Sequence, residues 1–348
     1  MTQPAQADEQ LRGLPLLERI QPRKHFSAIG FSRLLPHLPV TPAGSPLYEN
    51  SIGFGKSMIC ALCSENRVLR ESHIIPQFVA KWLKDTSATG YLRQAVMSNL
   101  RKEDFPKQKL LCDECETRLS RWETQFSQSI FLPYWNGKTE FAYDNWLLKF
   151  AVSLIWRSGI VQLESFRQYK PNLVHHLEHA LPVWKGFLLD KVSSPEPYTH
   201  HLLFMDFVEN VEGGSLPDGF HWYTLRSIDT IIPASSKEVY GYVKLPAMVF
   251  FTGIYPNRLS GWKNTRIFMR GKISASKQRV SHETFGEFYL DRVQQAERLA
   301  EMTSSRQREK IAVAIKSNPQ RSVQSRSFQV FIAEQIWKRK QKKHANIG

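Results

Sequence analysis

The chain holds four cysteines and no more, and they fall into two C-x-x-C pairs, Cys60/Cys63 and Cys112/Cys115. Each pair presents two thiolates from one tight turn, and two pairs complete a tetrahedral set of four sulfurs, a donor set that suits zinc. Two other readings compete: a pair of redox C-x-x-C motifs, or an iron–sulfur cluster. Redox chemistry needs only one pair, and the two pairs enclose a long insert with a motif of its own, so structural Zn2+ is the expectation. No cysteine remains for a disulfide framework, which fits a reducing compartment and a cytoplasmic protein. Four protein ligands leave a zinc ion no open position for substrate. Any chemistry must lie beside the metal, not on it.

The insert supplies a candidate. Ser72-His73-Ile74-Ile75-Pro76 is a short β-branched stretch that reads as a strand, stopped by Pro76, with a helix beginning over Phe78 to Leu83. His73 then projects from a strand end into a cleft, or else fills the core as a buried histidine. The insert is also basic, with Lys81, Lys84, Arg93, Arg101, Lys102, Lys107 and Lys109, and Trp82 and Tyr91 lie among them. The whole chain carries a formal charge of +15. That imbalance repels itself, and a polyanion relieves the repulsion. Nucleic acid is therefore the expected partner, bound through phosphates by these residues and by the terminal cluster Lys338, Arg339, Lys340, Lys342 and Lys343.

Cys60-x-x-Cys63, Ser72-His73-Ile74-Ile75-Pro76 and Leu110-Leu111-Cys112-x-x-Cys115 together resemble the zinc-stapled HNH endonucleases, whose core is a ββα-metal fold. The resemblance covers roughly the segment 56–131. It implies that His73 is the general base that activates a water for attack on a phosphodiester, DNA being the expected substrate. It also implies a catalytic Mg2+ or Mn2+ ion. The family often places a metal-binding Asp or His just before the base; here that position is Ser72, a poor ligand. Asn99 is the loose match to the asparagine that orients the base. On the helix entered at the second cysteine pair stands Glu116, with Glu123 two turns further along the same face. Glu116, with Glu123 or Asp104, is the expected carboxylate ligand set for the second ion. Restriction or phage defence is the biological setting the resemblance suggests. The alternatives are a catalytically inactive zinc module that binds nucleic acid, and an interaction component of a larger complex, with a protein partner or a second copy of the chain.

The fold class expected is α+β: a zinc-stapled ββα-metal unit at 56–131, preceded by an irregular lead-in over 1–55 and followed by an α+β region over 140–302 and a basic C-terminal segment over 303–348. Apolar residues at helical spacing predict a long helix from Asn145 to Phe166, and a second helix over Asn172 to Leu181. His201 to Glu209, His221 to Arg226, Glu238 to Val243 and Met248 to Tyr255 read as strands of an antiparallel sheet. The most apolar windows are broken by Lys149 and Arg157, and by Gly241, Lys244 and Pro246, so no membrane span is expected. The polar, acidic start does not resemble a secretory leader. His175 and His179 share a helix face that could take a metal, but a solvated helix is the plainer reading, and His200-His201 is read the same way. Trp222, Tyr240 and Tyr242 suit strand core better than a base-stacking platform. Phe328, Phe331, Ile332 and Ile336 predict a terminal helix that docks by that stripe.

Overall fold

The computed structural model describes residues 59–94, 97–208 and 216–345. The expected lead-in over 1–55 lies outside them. The architecture is α+β. Strand β1 (Leu69–His73) leads through Pro76 into helix α1 (Gln77–Asp85); strands β2 (Leu92–Gln94) and β3 (Met97–Lys102) form a hairpin, and β4 (Lys107–Cys112) runs straight into α2 (Asp113–Phe126). β1 and β4 pair antiparallel, with Leu69 opposite Cys112 and His73 opposite Lys107. The strand in the His73 motif thus lies earlier than its β-branched residues suggest. It ends at His73, and Ile74 and Ile75 turn inward to be buried under α1.

After α2 a five-residue π turn (Ser127–Phe131) and a short helix α3 (Leu132–Trp135) lead to strand β5 (Glu140–Tyr143). Helix α4 (Asn145–Tyr169) is buried over most of its circumference, which makes it the spine of the molecule, and α5 (Val174–Leu188) packs along it. Strands β6 (His200–Phe204), β7 (Asp229–Ile231), β8 (Val239–Leu245) and β9 (Met248–Tyr255) form a four-stranded antiparallel sheet in the order β6-β9-β8-β7, with the short helix α6 (Phe220–Arg226) between β6 and β7. Strands β10 (Trp262–Lys263) and β12 (Arg279–Val280) pair with each other, and β11 (Gly271–Ser274) pairs with β5. Helices α7 (Glu283–Glu301), α8 (Ser305–Lys316), α9 (Pro319–Gln324) and α10 (Arg326–Ala345) close the chain. Ser304 caps α8 through Gln307 N, and Asn318 caps α9 ahead of Pro319.

The sheet is covered on both faces. Val239, Val243 and Leu245 of β8 join the core built on α4 and α5, while Tyr240 and Tyr242 join a second core under α6 and α7. Alternation along the strand sorts the two sets. The close approach of α4 requires Gly241, since a Cβ there would lie 2.5 Å from Ile155 Cγ2. Tyr240 and Tyr242 are therefore core residues. The segment His221 to Arg226 is helix, not strand: Pro217-Asp218-Gly219 turns the chain, Gly219 takes a left-handed φ of 75°, and the helix buries Phe220, Tyr223 and Thr224. Trp222 points outward, 47% exposed. His200 and His201 are also reassigned. Both are buried in β6, with Nδ1 atoms bonded to Thr252 Oγ1 and Thr265 Oγ1. Burial pushes both imidazoles down to about 3.

The terminal helix docks by a different stripe from the one expected. Val330, Ala333, Glu334 and Trp337 are buried, while Phe331 is 51% exposed and Ile336 is also exposed. Glu334 decides the rotation. It accepts hydrogen bonds from Gly219 N and His221 N and pairs with His221 Nδ1 at 2.6 Å. Among the described residues no helix is long and apolar enough to cross a membrane.

Candidate functional site

The four cysteines converge. Their sulfurs all lie within 4.8 Å of one another, and Cys63 Sγ and Cys112 Sγ are 3.8 Å apart. A tetrahedron with metal–sulfur bonds of about 2.3 Å has edges of about 3.8 Å. Cys60, Cys112 and Cys115 are buried. Burial pushes the Cys60 thiol up, but the N–H groups of Cys63, Cys112 and Leu62 outweigh it and hold the thiol below its ordinary value. Burial raises Cys63 and Cys115. Those two thiols resist becoming thiolates until a cation sits beside them. The donor set and its spacing fit a chelated metal ion. Lys185 of α5 grips the first turn from outside, donating to Ala61 O at 2.9 Å and to Ser64 Oγ.

The β1–β4–α2 unit is not an isolated module. Its apolar residues continue into the core around α4, and Arg157 of α4 reaches into it. The Arg157 side chain is 2% exposed; it donates to His73 O at 2.8 Å and forms an ion pair with Glu123 Oε1 at 2.8 Å. That bridge fixes the geometry of the unit. β1 and β4 run from the cysteine end, where Leu69 faces Cys112, to the His73 end. Helix α2 starts at the cysteine end and rises about 15 Å by its eleventh residue, Glu123, which the Arg157 bridge ties to the His73 end.

His73 lies at the strand end with its side chain 15% exposed, and its Nε2 meets Asp104 Oδ2 at 2.9 Å. Asp104 Oδ2 also pairs with Lys107 Nζ at 2.9 Å, and Asp104 Oδ1 accepts from Phe105 N. Burial pushes the Asp104 carboxyl up, but Lys107, His73 and the Phe105 N–H outweigh it and hold it down at about 2. Asp104 is an anion at any working pH and accepts the Nε2 proton of His73. The lone pair then sits on Nδ1, which has no protein partner among the described residues. The result is a mostly buried imidazole whose tautomer is fixed by a carboxylate, an arrangement that can serve proton transfer.

The other expected site residues fall in different places. Ser72 is buried and its Oγ accepts from Leu111 N, a structural role. Asn99, in the β2–β3 hairpin, accepts from Ser304 N at 2.8 Å, and Asp104 holds the position at His73 that the resemblance assigns to Asn99. Glu116 stands in the first turns of α2, at the cysteine end, with Oε1 buried and unpartnered. Among the described residues the cysteines are the only three or more Cys, His, Asp or Glu side chains whose ligand atoms lie within 4.8 Å of one another. Asp104 and Glu123, the carboxylates near His73, each carry a cationic partner. The residues present do not assemble an open carboxylate set for Mg2+ or Mn2+. His175 and His179 are exposed with ring centroids 6.1 Å apart, and His176 stacks on Tyr255.

The chain matches no family model, no curated protein and no solved structure.

Many of the expected phosphate-binding residues already have partners. Lys81 pairs with Asp85, Lys84 donates to Glu103 O, Lys107 holds Asp104 and Lys338 pairs with Asp218. Arg339 and Lys340 are engaged as well, and the side chains of Lys342 and Lys343 lie outside the described residues. Lys109 is exposed, as is Arg101, which lies over the Tyr91 ring at 4.4 Å; Lys102 is half-buried. Arg157 and Lys185 were not anticipated. The available signal was the presence of charged residues inside long apolar helices, where a cation survives only with a partner.

Proposed function

We propose that the β1–β4–α2 unit is a zinc-stapled, HNH-like phosphodiester hydrolase acting on nucleic acid, DNA being the first substrate to try, with His73 as general base. The observation that carries this is the His73–Asp104 pair at the strand end opposite the cysteine cluster. Zinc is the ion assigned to the four sulfurs. It holds the N-terminal turn, β4 and the start of α2 in one body and takes no part in the reaction. Antiparallel β1 and β4 followed by α2, with His73 at the end of β1, support this reading.

In the proposed reaction a water lies between His73 Nδ1 and the phosphorus. Nδ1 takes a water proton as the water oxygen bonds to phosphorus, and the phosphorus–oxygen bond opposite it breaks. The leaving oxygen takes a proton from solvent. Asp104 keeps the imidazole oriented and stabilises the imidazolium. Lys107, opposite His73 and with its side chain about one-third exposed, is the cation this reading assigns to the phosphate. No step is routed through a second metal ion, because the carboxylates near His73 are engaged. The same engagement favours a second reading, a zinc module that binds nucleic acid or a protein without cutting.

The test is cleavage of plasmid DNA, single-stranded DNA and RNA by the full chain, with Mg2+ or Mn2+ and with chelator. His73→Ala abolishes cutting and leaves metal content and nucleic-acid affinity near wild type. If the wild type cuts and His73→Ala cuts equally well, His73 is not the base. If the wild type cuts nothing, the binding reading replaces the hydrolase.

A further inference from the structure

The hairpin that precedes Asp104 carries a charge pattern that costs stability when nothing covers it. Arg93 and Arg101 are direct cross-strand partners, and Lys102 follows, opposite Leu92. Like charges directly opposite on a sheet are destabilising. Arg101 is exposed and laid over Tyr91. Helix α8 repeats the pattern. Arg306 and Lys310 are exposed, one turn apart, with no ion pair among the described residues, and like charges at that spacing also repel. The helix carries four cations and a single carboxylate, Glu309.

The two elements are fastened together. Asn99 of the hairpin accepts from Ser304 N at the cap of α8. Gln307 of α8, with its amide oriented to satisfy the donors, accepts from both terminal nitrogens of Arg93 at 2.6 and 3.1 Å. Gln307 is the buried residue of α8; most of the rest of the helix is exposed. Little of α8 is core, so its place in the fold is to carry this face. Arg101 lies three residues before Asp104, within about 11 Å along the chain, and Asp104 touches His73.

We infer that the β2–β3 hairpin and α8 together form a clamp for the phosphate backbone of a nucleic-acid strand, with Arg101, Arg306 and Lys310 as its contacts, leading to His73. This rests on the proposed action on nucleic acid and moves the C-terminal contribution from the terminal lysines to α8. The occupant is a phosphodiester backbone, because phosphates meet unpaired cations spaced along an exposed face and need no shaped cavity. Its fit is sequence-independent.

The experiment reads binding, not cutting. Affinity of the full chain for a labelled single strand and a labelled duplex is measured by fluorescence anisotropy across salt. In Arg306→Gln/Lys310→Gln the slope of log affinity against log salt falls by about 2, roughly one per cation removed, and Kd rises severalfold at moderate salt on every sequence tried. Arg101→Gln gives about half that change. Lys191→Gln/Lys237→Gln, which removes two charges elsewhere on the surface, leaves the slope near wild type. Melting curves confirm that the surface variants are folded. A slope unchanged in the α8 variant, or changed equally in the control, overturns the clamp. So does a shift in oligomeric state of the α8 variant with nucleic-acid binding intact, since that marks the face as a protein interface. A protein that shows the slope change but never cuts keeps the clamp and loses the hydrolase; one that cuts through His73 without the slope change loses the clamp alone.

Discussion

Replacing Arg157 with Met tests how α4 holds the site. The guanidinium is buried, its ion pair is with a carboxylate that is 19% exposed, and it donates to His73 O. Met fills much of the same volume, so packing changes little and the loss is polar. Removing one partner of a buried pair costs about 3–5 kcal/mol because the other charge is stranded, and an unpaired buried carbonyl costs about 1–3 kcal/mol. Glu123 keeps some access to water, so the low end of each applies, about 4 kcal/mol for the two together. For a chain of this size a kcal/mol is worth about 1.5–2 °C, which places the melting point about 6–8 °C below wild type. Adding Glu123→Gln removes the stranded charge and recovers about half of that loss. Thermal melts and denaturant titrations of wild type, both single variants and the double variant close the cycle. A single Arg157→Met variant that melts within about 1 °C of wild type refutes the reasoning. A double variant no more stable than Arg157→Met also refutes it.

Two further outcomes follow from the same structure. Cys112→Ser removes one sulfur from the cluster and the residue that joins β4 to α2; metal analysis then falls from one zinc per chain towards none, and the module loosens because binding and local folding are coupled. A full zinc content in that variant, or an iron–sulfur absorption spectrum in wild type, contradicts the assignment. His200 and His201 are held neutral, with folded values of about 3 against an ordinary 6.5. The unfolded chain therefore binds more protons than the folded one below pH 6.5, and stability is lost as pH falls from there towards 3. The two together contribute a slope of at most about 2.7 kcal/mol per pH unit. His201→Gln removes about half of this contribution to the acid limb in urea titrations; an unchanged slope sinks the assignment of buried, neutral imidazoles.

The metal cluster was legible because thiol chemistry and spacing leave few options, and the four cysteines indeed meet. The long helix through Leu148, Ile155 and Trp156 was legible because it buries a full apolar surface. His221 to Arg226 was misread as a strand because aromatic and β-branched residues suit a half-buried sheet, while the left-handed Gly219 and the burial of Phe220 and Tyr223 favour a helix there. The docking stripe of α10 was missed because periodicity counts apolar residues, and a glutamate facing His221 sets the rotation. At the site, position along the chain named Asp104 and Lys107 but not their roles. A salt bridge between residues three apart, closing on a histidine from another strand, depends on register that only pairing supplies. Arg157 comes from outside the resembling segment altogether.

Chemical rescue tests the central claim most directly, because it asks whether an imidazole at this position performs the proton transfer. His73→Gly leaves Asp104 and Lys107 in place and opens a partly exposed space of imidazole size beside them. Cleavage by this variant is measured with increasing imidazole, at fixed zinc content, across pH. The account predicts negligible cutting without imidazole, and a rate that climbs with imidazole concentration and with the fraction of it that is neutral. Cutting by His73→Gly at the wild-type rate, indifferent to imidazole, contradicts the account.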